Sequence, residues 1–329
     1  MADVLEATER DLMTQTLRRL AEELDGVQLS KALADFGFVE VLAEAPREAV
    51  STLFDALGRA GSTSSSLQDV LLQPLTNVLH GASTVHSVVL PSIGAALSGS
   101  LDGDAVTLRG LIIGHSTATA VLAPVSAHDS IAWVSIADPS VLTKRVVAGL
   151  DPALAMTEVG ATEVAATIVS SGVQAGDLWT AVATAGRRAL GHQIVGAVRA
   201  MLDLAVEHAR NRVQFGRPIG SFQGVRNRLA EAHVALEAAA AALELAWEAD
   251  DEYLAGMLAK SLAGRAAQLT GTHCQQVLAG IGFTAEHPFH RYLARALVLD
   301  SVLGSTVELR RAIGQHLVSA NTVPRLVEL

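Results

Sequence analysis

The chain of 329 residues contains one cysteine, Cys274, so no intramolecular disulfide can form and no CxxC or Cys/His metal pattern is available. Aromatic residues are scarce at 4%, while half of all residues are hydrophobic, so Ala, Leu and Val must supply most of the apolar surface. Such a core depends on close backbone approach and many small contacts, the habit of helical bundles. Positive charge is also lacking: 24 Lys and Arg stand against 34 Asp and Glu, a net charge of −10. That balance argues against nonspecific nucleic-acid binding, which needs Lys and Arg clusters to displace counterions. It leaves room for a local basic site facing an anionic cofactor. No run of about 18 apolar residues is free of charges and glycines, so no membrane span is expected. Residues 1–19 carry Asp3, Glu6, Glu9 and Asp11 with no apolar block, unlike a signal peptide. These features predict a cytoplasmic chain with neither a membrane nor a nucleic-acid partner.

Periodicity divides the chain into three. Residues 1–97 read as helical, with Leu12, Leu17, Leu20 and Leu24 roughly at helical spacing. The polar stretch 61–66 breaks this region, and Ser66 is placed to cap a helix from Leu67 to Leu79. Residues 98–182 change character. Asp102-Gly103-Asp104 signals a turn before the β-rich run 105–113, and further β-rich runs follow at 120–122, 131–136 and 165–169. A small antiparallel β-domain is predicted. Helical period returns over 183–329. Leu190, Ile194, Ala197, Met201 and Leu204 line one face, and Val225, Leu229, Ala232, Leu236, Leu243 and Trp247 line another. A third helix is expected from about Asp251 to Leu278, and a fourth from Arg291 to about Ser319 with a break near Gly304. The expected class is α+β: an amino-terminal helical domain (1–97), a middle β-domain (98–182) and a carboxy-terminal four-helix bundle (183–329).

Several chemistries find no support. His80, His86 and His115 lack ligand spacing, the serines at 62–66 lack a Gly-x-Ser-x-Gly elbow, and 94–103 lacks the Gly-Lys-Ser/Thr of a phosphate loop. The informative strings lie in the last third. Arg212-Val213-Gln214-Phe215-Gly216-Arg217-Pro218-Ile219, followed by Phe222-Gln223, reads as a helix end, a tight turn and the start of the next helix. An arginine at a helix end is most simply a solvated side chain favoured by the dipole; it is also able to grip phosphate oxygens with paired hydrogen bonds. Gln276-Val277-Leu278-Ala279-Gly280-Ile281-Gly282 reads as a glycine-rich helix end, where missing Cβ atoms let backbone amides approach an anion. Glu286-His287-Pro288-Phe289-His290-Arg291 follows, with Pro288 setting the start of the last long helix.

Together these strings resemble the flavin-binding carboxy-terminal domain of the acyl-CoA dehydrogenases, chiefly over 187–319, and the order helical, β, bundle resembles that family along the whole chain. The resemblance implies that Arg212 reaches the pyrophosphate of an FAD held by a neighbouring subunit. It implies that Gln214, Phe215, Phe222 and Gln223 contact or shape the adenosine half, with Gln276, Gly280 and Ser305 completing the cofactor-binding set. Ala279 departs from the family pattern by standing where the first glycine is usual.

The resemblance also exposes a gap. Removing the proton alpha to a thioester needs a carboxylate base. The family places a glutamate before a Gly-Thr pair in the last helix, where this chain reads Leu303-Gly304-Ser305. A subgroup places it before an arginine on the first bundle helix, where this chain reads Gly186-Arg187. Leu303 and Gly186 accept no proton; the alternatives are Glu308, one to two turns past Leu303 and expected to point elsewhere, and Glu207, far along its helix. The 89–94 region lacks the family's Glu-Pro pair, so an incomplete substrate pocket is expected. The resemblance is to the short, degenerate subunit of actinobacterial α2β2 enzymes of steroid side-chain β-oxidation. It implies a longer acyl-CoA dehydrogenase partner carrying the catalytic Glu, a shared FAD, a bulky acyl-CoA substrate and an electron-transfer flavoprotein as acceptor. Two other readings stay open: a self-sufficient homo-oligomeric dehydrogenase with a displaced base, and a flavin-free structural or regulatory subunit.

Overall fold

A computed structural model of the protein describes residues 7–79, 86–115 and 118–320; His80 and the first six residues lie outside them. Five helices come first: α1 (Ala7–Glu23), α2 (Gly26–Phe36), α3 (Phe38–Glu44), α4 (Pro46–Ala60) and α5 (Ser66–Leu72). The helix expected to run from Leu67 to Leu79 stops at Leu72 and continues as a 3-10 turn, Gln73–Val78, because Pro74 has no N–H for the α-helical ladder. Ser66 is its first residue rather than its cap, and the Ser66 N–H donates to Ser64 Oγ at 3.3 Å.

Nine strands form one sheet: β1 (His86–Val88), β2 (Leu90–Pro91), β3 (Gly99–Asp102), β4 (Ala105–Ile113), β5 (Ala120–Ala127), β6 (Ser130–Ile136), β7 (Thr143–Val146), β8 (Met156–Ala165) and β9 (Thr167–Ser171). The order is β7-β8-β4-β3-β5-β6-β9, with β1 on β5 and β2 on β4. Most pairings are antiparallel, as expected, but β5 also takes parallel partners in β1 and β3. The sheet begins at His86, upstream of the change of character expected near 98. The expected run 165–169 divides between β8 and β9 at Ala166. Val89, Val106, Leu108, Ile112, Val121, Val125, Val134 and Ile136 form its core. All but Leu108 are β-branched, which suits a pleated surface.

The bundle helices are α6 (Gly172–Asn211), α7 (Gln223–Leu245), α8 (Glu252–Leu278), α9 (Phe289–Ser301) and α10 (Thr306–Ala320), with a two-residue hairpin of β10 (Val213–Gln214) and β11 (Arg217–Pro218) between α6 and α7. Leu190, Ile194, Ala197 and Met201 of α6 are fully buried, and Ala232, Leu236 and Leu243 of α7 are buried too. Asp251 caps α8 by accepting from Leu254 N–H at 2.9 Å. The expected fourth helix is two, parted at 302–305, where Leu303 (φ 55°) and Gly304 (φ 99°) take the left-handed conformation. By length and composition α6 is apolar enough to cross a membrane, but 72% of its most apolar window is buried inside the protein.

The described residues group as two compact units, one of 24–46 and 63–186, the other of 7–23, 47–62 and 187–320. Helices α1 and α4 therefore pack with the bundle rather than with the other amino-terminal helices. Facing glycines explain part of this. A Cβ on Gly58 would lie 2.1 Å from the Gln193 carbonyl oxygen, and one on Gly196 would lie 2.2 Å from that of Asp55. Backbone meets backbone there, and Asp55 closes the seam by pairing with Arg59 at 2.9 Å and Arg199 at 2.7 Å.

Candidate functional site

The hairpin after α6 is built by its turn. Phe215 (φ 53°) and Gly216 (φ 77°) occupy the two central positions, both left-handed, as a tight two-residue turn requires. Glycine adopts this freely, whereas phenylalanine does so at a cost. The Ile219 N–H to Arg212 carbonyl bond at 2.8 Å closes the hairpin base. Phe215 is driven outward and is 92% exposed. Its ring meets Phe222 edge to face at 6.2 Å, and the Arg217 guanidinium lies 4.2 Å over the Phe222 ring.

These residues form one wall of a cavity of about 380 Å³ lined by Gln214, Phe215, Ile219, Phe222, Gly224, Val225, Arg228, Gln276 and Val277. Two strings sixty residues apart in sequence thus meet across α7 and α8, and four of the expected cofactor residues, Gln214, Phe215, Phe222 and Gln276, line one cavity. Gln223, the first residue of α7, and Gly280 are exposed outside its lining. Nothing lies within 4 Å of where a Gly280 Cβ would be, which leaves backbone open to a ligand. Ala279 ends α8 with φ 52° and ψ −134°, a conformation that glycine adopts far more readily. Arg212 is exposed just past α6. Together with His287 it adds to burial in lowering the pKa of His208, so this helix end is a positive neighbourhood. His290 bonds through Nδ1 to the His287 carbonyl at 2.7 Å.

Ser305 stands apart from this cavity. It opens α10 as half of a capping box: its N–H and hydroxyl each donate to Glu308 Oε2 at 2.8 Å, and the Glu308 N–H donates back to Ser305 Oγ at 3.3 Å. Ser-x-x-Glu is a helix-start signature, and Ser305 fills that role here. The bonds from Ser305 hold the Glu308 pKa below its ordinary value. Glu207, the other alternative base, is exposed along α6.

Around Leu303 two basic side chains, Arg187 and Lys260, bond the backbone. Arg187, next to the buried Gly186, donates from Nε to the Leu303 carbonyl at 3.1 Å, and its guanidinium lies 5.2 Å over the Tyr253 ring. Lys260 is fully buried and donates to the carbonyls of Asp300 at 2.8 Å and Gly304 at 2.7 Å. Burial pushes its pKa down to about 7. Lys260 thereby ties both ends of the break to α8. The sequence reading missed it; its only signal was a lone lysine in an Ala/Leu-rich helix. Cys274 is buried, and burial pushes its thiol up to about 12, so it is not a reactive nucleophile.

Residues 178–318 match the family described as Acyl-CoA dehydrogenase, C-terminal domain. Acyl-CoA dehydrogenase FadE34 of Mycobacterium tuberculosis is 42% identical over 123 residues, 36% of this chain and 17% of that protein. Acyl-CoA dehydrogenase IpdE2 of the same organism is 38% identical over 119 residues, 36% of this chain and 37% of that protein. The matched stretch thus spans well under half the length of either relative. Among solved structures, the ChsE4-ChsE5 complex from M. tuberculosis contains a chain that superposes with a TM-score of 0.76 at 22% identity, covering 98% of this chain and 99% of that one. A Tcur3481-Tcur3483 steroid ACAD variant gives a TM-score of 0.79 at 19% identity, covering 95% and 99%. Residues 178–318 thus match an acyl-CoA dehydrogenase carboxy-terminal domain in sequence, and the chain has the acyl-CoA dehydrogenase fold over nearly its whole length.

Proposed function

We propose that the chain is a subunit of a heteromeric, FAD-dependent acyl-CoA dehydrogenase, contributing nucleotide-binding residues to a flavin shared with a longer, base-bearing partner. The substrate class is a CoA thioester with a bulky acyl group, steroid side chains included, and the product a trans-2-enoyl-CoA. The electrons pass to an electron-transfer flavoprotein, and the complex works in the cytoplasm. Members of the family typically bind FAD. Both solved relatives above come from named two-component assemblies.

The observation that carries this reading is a division between what is kept and what is gone. Gln214, Phe215, Phe222 and Gln276 converge on one exposed cavity. Leu303 and Gly186 stand at the two positions where the resemblance leads us to expect a base, and Glu308, five residues past Leu303, is engaged as a helix cap. The cavity suits a nucleotide: the Phe215 and Phe222 rings offer π-faces, the Gln214 and Gln276 amides offer donors and acceptors, and Arg212 stands nearby as a permanent cation. FAD, when bound, supplies the hydride acceptor for the substrate's beta carbon. This chain's residues hold and orient its nucleotide half, while proton removal falls to a carboxylate of the partner.

Exposed apolar surface also calls for a partner. Val213, Phe215, Ile281 and Phe283 are 53%, 92%, 44% and 74% exposed. A groove of about 560 Å³ between α7 and α8, lined by Ala230, Val234, Ala235, Ala238, Leu262 and Leu269 among others, leaves Val234 68% exposed. Patches of this kind mark interaction surfaces.

The test is to purify the chain alone and with a longer acyl-CoA dehydrogenase co-expressed. The chain alone is expected to carry little flavin and to show no acyl-CoA dehydrogenation. The co-purified complex is expected to be yellow and active. Stoichiometric flavin and turnover in the lone chain would contradict the proposal.

A further inference from the structure

Among the described residues, Arg228 is the one charged side chain lining the cavity that holds Gln214, Phe215, Phe222 and Gln276. It was not among the residues singled out by sequence, and it is not left to wander. Its Nη1 lies 3.3 Å from Nδ1 of His273, a residue of α8 only 8% exposed. A guanidinium has no acceptor, so Nδ1 must be the accepting nitrogen and the ring proton sits on Nε2. Nε2 in turn lies 3.0 Å from a carboxylate oxygen of Glu231, one helical turn beyond Arg228 on α7; the contact is electrostatic, being poorly aligned as a hydrogen bond. Glu231 thus attracts the buried imidazole, and the imidazole accepts from one edge of the exposed Arg228 guanidinium. The remaining N–H groups of Arg228 are free to serve the cavity.

We propose that Arg228 is a second phosphate-binding cation for the nucleotide in this cavity, and that His273 is its positioning residue. The inference rests on the nucleotide-binding reading above and deepens it. Arg212 and Arg228 would hold the diphosphate-bearing ligand from two sides, Arg212 from the end of α6 and Arg228 from the cavity wall. A guanidinium held in place loses less freedom on binding than a solvated one, so its contact is worth more.

The experiment is a fluorescence titration of the flavin-stripped, co-purified complex with FAD at low and high salt, with melting temperature as a control for folding. Arg228→Gln is expected to weaken FAD binding about ten- to hundred-fold, the range for losing a hydrogen-bonded charge contact, and to flatten the salt dependence. His273→Leu should weaken binding by a smaller factor, and His273→Gln, which keeps an acceptor for Arg228, should recover most of it. A purely structural role for His273 would give loss of melting temperature without this rescue. If Arg228→Gln binds as the unaltered complex does while Arg212→Ala does not bind, the role of Arg228 is wrong and the wider reading stands. If neither substitution matters, both fall. A measurement independent of Arg228 variants uses the Arg212→Ala complex with ADP and adenosine as probes. ADP should bind at least about ten times more tightly, because one cation remains; equal affinities overturn the proposal.

Discussion

The carboxylate of Glu308 and the hydroxyl of Ser305 close a reciprocal cap on α10, with three contacts of 2.8, 2.8 and 3.3 Å. A carboxylate so engaged is held in its charged form by donors from its own helix start. Glu308→Gln should therefore leave the turnover of the assembled enzyme unchanged. It should cost stability of about 1 kcal/mol, the scale of a helix cap, read as a lower melting temperature. The depressed pKa means that the cap's contribution is present above the ordinary carboxylate range and lost as pH falls through the folded value. Loss of turnover at unchanged stability would make Glu308 the displaced base.

Lys260 makes the opposite kind of pH statement. Its folded pKa, about 7, lies below the ordinary lysine value of 10.5. Between these values the unfolded chain binds the extra proton, so stability rises with pH across that window, by at most about 1.4 kcal/mol per pH unit. Lys260→Met should remove this dependence and leave the carbonyls of Asp300 and Gly304 without their buried donor, a loss of a few kcal/mol. Urea unfolding of both forms near pH 7 and pH 9 checks the sign: the gap should widen at the higher pH.

Ala279 bears a Cβ in backbone territory suited to glycine, at the end of α8 beside the Gln276 string. Ala279→Gly should stabilise the chain by roughly 1 kcal/mol by relieving that conformation and should not weaken flavin retention by the complex. A fall in melting temperature would mean that the Ala279 methyl group contributes more than its strain costs.

Val234, exposed on the apolar groove of α7 and α8, tests the partner surface. Val234→Asp would place an unpaired carboxylate in an interface, at a cost of several kcal/mol. Co-purification with the longer subunit should fall sharply while the lone chain's melting temperature stays within about 0.5 kcal/mol equivalent, the usual range for surface changes. Intact co-purification would move the interface elsewhere.

Much of the bundle could be read ahead because its signals are local. Asp251 stands immediately before a long helical period and caps it. Gly304 marks the break between α9 and α10. The burial of Leu190, Ile194, Ala197 and Met201 follows their spacing. What escaped the reading depends on contacts distant in sequence. Nothing local in α4 announces that Gly58 faces Gly196 and draws this helix onto the bundle. The start of α6 at Gly172 was missed because Gly172 and Gly176 weaken the helical signal; Trp133, donating to the Ala175 carbonyl at 3.2 Å and resting near Trp179, holds those turns. The convergence of Gln214 and Gln276 followed from the resemblance, whereas Arg228 and His273 are visible only once α7 and α8 lie side by side.

The most direct measurement is the flavin content of the co-purified complex with Arg212→Ala in this chain, partner unaltered. The account predicts that the complex still assembles but loses most of its FAD and, with it, acyl-CoA dehydrogenation. A complex that keeps its full complement of FAD and its turnover would contradict the claim that this chain lends its residues to a shared flavin.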